Sequence, residues 1–347
     1  MRRRSGVAAS LVAREANTLY RYFGARFTRR AVMLFGVAAA ALASAAATEA
    51  GSPSAHASAS GDTIVVADST VKIASSLTGL DLRFLDSLLG RSKKLRARFV
   101  PTNLVAESPS LLRLFGNSAL RAPGIYSLAA RSDSGAFALI SMRPFSHKVA
   151  GRIGGYRIGF WPFERGTARS EQYQNPQGFI EVTPANQNTW VSEHFQLRDF
   201  LTKDQHAVWP KYLVLNERLI DKLELVIDEL QNDGITVTHL SVMSGFRTPR
   251  YNAKGVGKGG RASTSRHQYG DAADVFVDNN RDGYMDDINR DGRVNTLDAA
   301  VLLRAVERVE AAHPELIGGV GVYPATRSHG PFAHIDARGH RARWGEG

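Results

Sequence analysis

The chain of 347 residues contains no cysteine. That absence excludes a disulfide scaffold, a thiolate zinc finger, an iron–sulfur cluster and a cysteine nucleophile, so any metal must be held by His, Asp, Glu or Asn. A broad excess of positive charge is also lacking. Residues 1–60 hold eight Arg, no Lys and two Glu, whereas the rest of the chain sets 36 basic against 31 acidic side chains. The formal charge of +11 is mostly a property of the leader, and bulk charge leaves no nucleic-acid footprint. The apolar run at 31–47 (AVMLFGVAAAALASAAA) is short for a spanning helix and rich in weakly lipophilic Ala. What is present, 43% apolar and 22% charged residues, suffices for two modest domains or one large one.

Residues 1–30 are Arg-rich, and small residues close the apolar run with Ala-x-Ala steps at Ala43–Ala45 and Ala45–Ala47. Residues 1–50 therefore read as a secretory signal rather than a membrane anchor. Arg29-Arg30, preceded by Thr28, resembles the twin-arginine export signal, with Val32 and Met33 where that signal usually has Phe and Leu. Without a cysteine at the exit there is no lipoprotein anchor. The mature protein is expected in the cell envelope, periplasmic or secreted, with no stable membrane anchor after signal cleavage. Gly51–Gly61 is Ser/Ala/Gly-rich and reads as a linker.

Residues 62–165 carry short β-branched or aromatic runs (DTIVVA, RARFVP, GIYSLAA, GAFALISM) punctuated by turns such as Pro123-Gly124 and Ser132-Asp133-Ser134-Gly135. This spacing predicts a smaller, mostly-β domain, serving as a packing module or as a wall- or partner-binding one. From Pro176 the pattern changes. Asn216 caps a predicted helix whose Leu219, Ile220, Leu223, Ile227 and Leu230 share one stripe, and Asn232-Asp233-Gly234 ends it. Ile235–Met243 predicts a strand, and alternating segments after it predict an α+β domain over 176–347.

Three segments of that domain carry chemistry: Ser244–Asn252 (SGFRTPRYN), Ser265–Asp274 (SRHQYGDAAD) and Phe332–Asp336 (FAHID). A turn at Gly270 can bring the His267 imidazole and the Asp274 carboxylate to one point, and His334 can supply a third group. Two His and one carboxylate with an open fourth position suit catalytic zinc. On spacing alone, ordinary surface groups or a satisfied hydrogen-bonded His–Asp pair are the more common outcome.

The order S-G-F-R-T-P-x-Y-N, S-x-H-x-x-G-x-A-x-D, then a late H-x-D near R-x-R-W resembles the zinc D-Ala-D-Ala carboxypeptidase family, which includes murein endopeptidases and D-Ala-D-Ala dipeptidases. The resemblance covers about Val191–Trp344, including Ser192-Glu193-His194-Phe195, Leu197 and Phe200. It implies a small antiparallel sheet with helices, zinc held by His267, Asp274 and His334, and peptidoglycan stem peptides as partners. Arg247 matches the family's Arg beside the scissile bond, steadying the carbonyl oxygen or a substrate carboxylate. Ser265 and Tyr269 are candidates for orienting the ligands, with a structural role as the alternative.

One position departs from the pattern. Many members place a Glu or Asp base three residues before the last His ligand, and here Pro331 stands there. Asp336 shares a strand face with His334 and is the first candidate base, or else orients that ring. His329 is the second candidate.

An acidic insert, 278–298, follows directly (DNNRDGYMDDINRDGRVNTLD). Asp287, Asn289, Asp291, Gly292, Asn295 and Asp298 fall at loop positions one, three, five, six, nine and twelve of an EF-hand, with Arg293 offering its carbonyl at seven. The arrangement resembles a dockerin-type calcium loop, which likewise has Asp at twelve. A first run, Asp278, Asn280, Asp282 and Gly283, has Asn289 at its twelfth position and could share Asp286 or Asp287 with its neighbour. Structural calcium is the expectation, followed by a helix over Thr296–Ala312.

Together these readings predict an exported zinc metallopeptidase, carboxypeptidase or endopeptidase, acting on D-amino-acid bonds of wall peptides. The alternative is a non-catalytic wall-binding or scaffold protein on a peptidase-like fold. A dockerin-like assembly module would need paired calcium helices, of which one convincing loop and helix is visible.

Overall fold

In the computed structural model, the described residues are 62–66, 69–73, 84, 86–128, 137–257 and 260–345. The expected signal (1–50) and linker (51–61) lie outside them, as does the turn at 132–135. Strands β1 (Asp62–Val66), β2 (Ser69–Ile73) and β3 (Ala97–Pro101) precede helices α1 (Pro109–Phe115) and α2 (Ser118–Arg121). Strands β4 (Gly124–Leu128), β5 (Phe137–Pro144), β6 (Arg152–Ile153), β7 (Tyr156–Arg157), β8 (Gly178–Val182) and β9 (Lys211–Leu213) follow. The remainder comprises α3 (Glu217–Asn232), β10 (Leu240–Ser244), α4 (Pro249–Ala253), β11 (Ala272–Val277), α5 (Thr296–Ala312), β12 (Gly319–Tyr323), β13 (Phe332–Asp336) and β14 (Ala342–Trp344). Helix and sheet are thus mixed, as an α+β chain requires.

One sheet runs β2-β1-β4-β5-β8-β9, with β3 parallel to β5, and a second runs β10-β11-β13-β12-β14. The expected boundary between 165 and 176 does not separate two bodies. β5 pairs with β8 across it at Arg143 and Phe179, and residues 61–347 form one unit. The reason lies in β5. Its Ala138, Ile140 and Met142 enter an apolar core that extends from Leu95 to Ile335, while Phe137 and Leu139 face a smaller cluster with Val105, Leu114 and Phe115. A strand buried on both faces cannot belong to a small independent module with one solvated side. Residues 62–165 are also less strand-rich than expected, because α1 supplies Leu111, Leu114 and Phe115 to cover that second face.

Helix α3 starts where predicted: the Asn216 side chain accepts from the Arg218 amide at 2.9 Å. Its Leu219, Ile220, Leu223, Val226, Ile227 and Leu230 are fully buried, each worth about 1.5–3 kcal/mol over exposure. Helix α5 packs beside it, and the two are joined by buried Lys222, whose Nζ lies 2.7 Å from Glu310 Oε1. The same ammonium donates to the Asp336 carbonyl at 2.7 Å and so fixes β13 to the helix pair. The strand predicted from Ile235 begins only at Leu240. The amides of Thr238 and His239 donate to the Asn279 side chain instead of to a neighbouring strand.

Candidate metal centre

The second sheet brings the chemistry together by register. Asp274 on β11 is the direct cross-strand partner of His334 on β13, and His334 in turn faces Gly321 on β12. Ser244 pairs with Asp274 after a bulge in β10, and Trp344 pairs with Gly321. One row therefore crosses all five strands: Ser244, Asp274, His334, Gly321, Trp344. Gly321 is required there, since a Cβ would lie 2.1 Å from Trp344 Nε1. The indole instead occupies that space, its centroid 5.2 Å from the His334 ring.

His267 arrives from outside the sheet, on a 3₁₀ turn over Arg266–Tyr269. Gly270 ends the turn at φ 69°, and a Cβ there would meet the Val214 carbonyl oxygen at 2.3 Å, so only glycine fits. The Trp161 indole donates to the Gln268 carbonyl at 2.8 Å, and buried Arg266 is paired in two places with Asp271. The first half of the chain thus holds the turn that presents His267.

The three predicted ligand residues converge. Within this buried group, His267 Nε2 lies 3.2 Å from Asp274 Oδ1 and 3.1 Å from His334 Nδ1, and His334 Nδ1 lies 2.9 Å from Asp274 Oδ1. The outer nitrogens fix the tautomers. His267 Nδ1 is 2.7 Å from the Gly245 carbonyl, which can only accept, and His334 Nε2 is 3.2 Å from the Asp336 carboxylate. Each neutral ring therefore turns a lone pair inward, beside a carboxylate oxygen. Three acceptors at this spacing can share a cation, whether a proton or a metal ion. The edges of a tetrahedral site with bonds of about 2.0–2.1 Å would be about 3.3 Å, close to these separations.

Protonation competes for the same place. Burial pulls the His267 imidazole below its ordinary value. Burial acts likewise on His334, but its hydrogen bonds to Asp274 and Asp336 outweigh it and carry that ring up to about 9. Asp274 is buried as well, yet His267 and His334 hold it well below the usual carboxylate range.

Asp336 is the first of the two candidate bases. It is fully buried behind the His334 ring, and it accepts from the Gly319 amide at 2.7 Å and from the Arg338 side chain. Burial would raise it, but His334 and Arg338 keep it far below the usual range; of the two roles expected of it, base or orienting group, this geometry suits the orienting one. Gly318 and Gly319 provide its space, because a Cβ at either would strike Asp336. His329 is half-buried in the loop before β13. Its Nδ1 lies 2.8 Å from the Gly330 carbonyl, and its ring meets Phe332 edge-on at 5.0 Å. Phe332 shares the His334 face of β13, stacks on Tyr323 at 4.7 Å, and so sets His329 beside the row.

Arg247 reaches the centre but engages Asp274 Oδ2 directly, while its Nε donates to Ser244 Oγ at 2.8 Å. Asp274 thus offers one oxygen inward and gives the other to a guanidinium. Among the described residues, Ser265 and Tyr269 make no hydrogen bond to His267, Asp274 or His334. Tyr269 instead packs edge-on against Tyr173 at 5.5 Å and beneath Arg266. The Gly245 carbonyl and Asp336 do the orienting expected of those two. Sequence reasoning offered Asp336 as an orienting group but missed the Gly245 carbonyl, along with the roles of Ser244, Gly321 and Arg338. The signal for Gly321 and Trp344 was the R-x-R-W segment and the period-two alternation of β12.

The acidic insert forms two loops with the same local pattern. Asp278 accepts from the amides of Asp282 and Gly283, and Asp287 accepts from those of Asp291 and Gly292. Gly283 and Gly292 sit at φ 86° and 82°. Asn280 and Asn289 occupy equivalent places, each accepting from the amide two residues on. Arg293 donates its amide to Asp291 at 2.9 Å. Asn295 and Asp298 form the capping box of α5, and buried Asp298 also accepts from the Ile288 and Asn289 amides. No described helix is long and apolar enough to cross a membrane.

No family model matches the chain, and neither a curated protein nor a solved structure matches it.

Proposed function

We propose that the protein is an exported zinc metallopeptidase that hydrolyses D-amino-acid-containing bonds of peptidoglycan stem peptides. The observation that carries this reading is the convergence of His267 Nε2, Asp274 Oδ1 and His334 Nδ1, with both outer imidazole nitrogens already committed. Two imidazoles and one carboxylate suit zinc better than the hard, all-oxygen cations. A divalent ion held there would supply Lewis acidity to a peptide carbonyl and lower the pKa of a water molecule.

The surrounding residues support the same chemistry. Arg247 leaves Nη1 without a hydrogen-bond partner among the described residues, beside the ligand carboxylate, and holds a substrate carboxylate or a developing negative oxygen. His329 Nε2, which has no hydrogen-bond partner among the described residues, carries the proton from water to the leaving amine. Trp344 walls the His334 flank, its Nε1 tied to Tyr323 Oη at 2.8 Å. Substrate class and export rest on the order of the three motif segments and on the Arg-rich leader. The acidic loops hold calcium and brace β11 against α5. Mass spectrometry of muropeptides before and after digestion, with metal analysis of the same sample, tests the reading.

Pro331, standing where an acid is usual, and the buried state of Asp336 favour one competing reading, a wall-binding protein without turnover. Sedimentation with purified sacculi and no released product would support that alternative.

A further inference from the structure

On the His334 face of the second sheet, the next position along β12 from Gly321 is Tyr323. Gly321 stands opposite His334 and Tyr323 opposite Phe332, which sets Tyr323 one pleat, about 6.7 Å, along the strand from that row. Its ring is fixed by a stack on Phe332, 4.7 Å apart with 5° between the planes, yet remains 37% exposed. The Trp344 indole, which fills the space over Gly321, donates from Nε1 to Tyr323 Oη at 2.8 Å. An indole nitrogen only donates, so the phenol accepts there and keeps its own hydrogen. That bond also draws the hydroxyl back toward the His334 ring, against which the indole packs. Among the described residues no group accepts the Tyr323 hydrogen.

Arg247 is the other donor at this place. It follows β10 at one end of the sheet, β12 lies toward the other end, and Asp274 and His334 stand between them. Burial pulls the Arg247 guanidinium below its ordinary value, with Asp274, Tyr251 and Tyr323 close enough to act against that pull. A hydroxyl already fixed where charge develops costs no reorganisation during the reaction. We propose that Tyr323 is a catalytic residue of this centre, its hydroxyl donating a hydrogen bond to the scissile carbonyl oxygen as that oxygen turns negative. The role rests on the peptidase reading above and gives it a second donor beside Arg247. The hydroxyl keeps its hydrogen throughout. Water adds to the carbonyl carbon, the carbon–nitrogen bond breaks, and the proton that reaches the leaving amine travels by His329. Trp344 is then a positioning residue, holding the phenol through Nε1.

The test is Tyr323→Phe in the full, zinc-loaded chain, which removes one oxygen and keeps the stacked ring. The readouts are kcat and KM on purified muropeptides, metal content, and calorimetric affinity for a phosphinate isostere of the dipeptide that the native chain cleaves. In the variant kcat should fall about 100-fold, and the phosphinate should bind about tenfold or more weakly. KM and metal content should stay at their native values. Unchanged kcat and phosphinate affinity would overturn the proposal. So would a loss carried by KM or by metal content, the mark of a mere prop for Trp344. A native chain that releases no shortened peptide would instead overturn the peptidase reading, and this role with it.

Discussion

Asp336 Oδ2 lies 3.2 Å from His334 Nε2, on the ring edge opposite the nitrogen that faces Asp274. This contact selects the tautomer in which Nδ1 is free to bind a metal. Asp336→Asn should therefore lower metal affinity about 10–100-fold, while leaving the acidic limb of the pH–rate profile in place. Metal titration and pH-dependent kinetics of the variant check this. Unchanged metal affinity together with loss of that limb would make Asp336 the base instead.

Gly321 gives Trp344 its place beside His334. Gly321→Ala should displace the indole and destabilise the fold by about 1–3 kcal/mol. Denaturant midpoints and tryptophan fluorescence report both effects. An alanine variant with native stability and an unshifted spectrum would show that the row is looser than described.

The three converging residues, His267, Asp274 and His334, were legible because each lies in a short segment whose residue types suit a metal. Their supports were not. The Gly245 carbonyl is backbone, with no side chain to signal it, and the row from Ser244 to Trp344 appears only once strand register is known. Arg247 was correctly placed at the centre, but its pairing with Asp274 depends on the bulge in β10. The division near 165–176 was misread because GAFALISM reads as an ordinary half-buried strand, whereas β5 is covered on both faces. The first residues of the strand expected from 235 were lost to Asn279, a long-range side-chain contact invisible to local periodicity.

His194 offers a test of pH-dependent stability away from the metal. Its Nδ1 lies 2.7 Å from buried Glu224, and that hydrogen bond raises the imidazole above its ordinary value. A raised folded value means a contribution that is fully present below the unfolded value of about 6.5 and lost as pH climbs through the higher folded value. Urea midpoints of the native chain and His194→Gln should differ by about 1 kcal/mol at pH 5.5 and converge at alkaline pH. A gap that widens with pH would contradict the pairing.

The paired loops at 278–298 should bind calcium and stabilise the fold. At a calcium concentration 100 times the dissociation constant, the gain is about 2.7 kcal/mol, visible as a rise in Tm that a chelator reverses. Asp291→Ala should remove most of it. An unchanged melting curve on adding calcium would remove calcium from the account.

Metal content and hydrolysis measured together test the central claim most directly. The native chain should purify with, or take up, one divalent ion per molecule at the 267/274/334 group and should release shortened stem peptides from purified muropeptides. Excess chelator or His267→Ala should abolish both the ion and the release. Undiminished hydrolysis in excess chelator, or a His267→Ala protein that keeps its metal and its activity, would contradict the account.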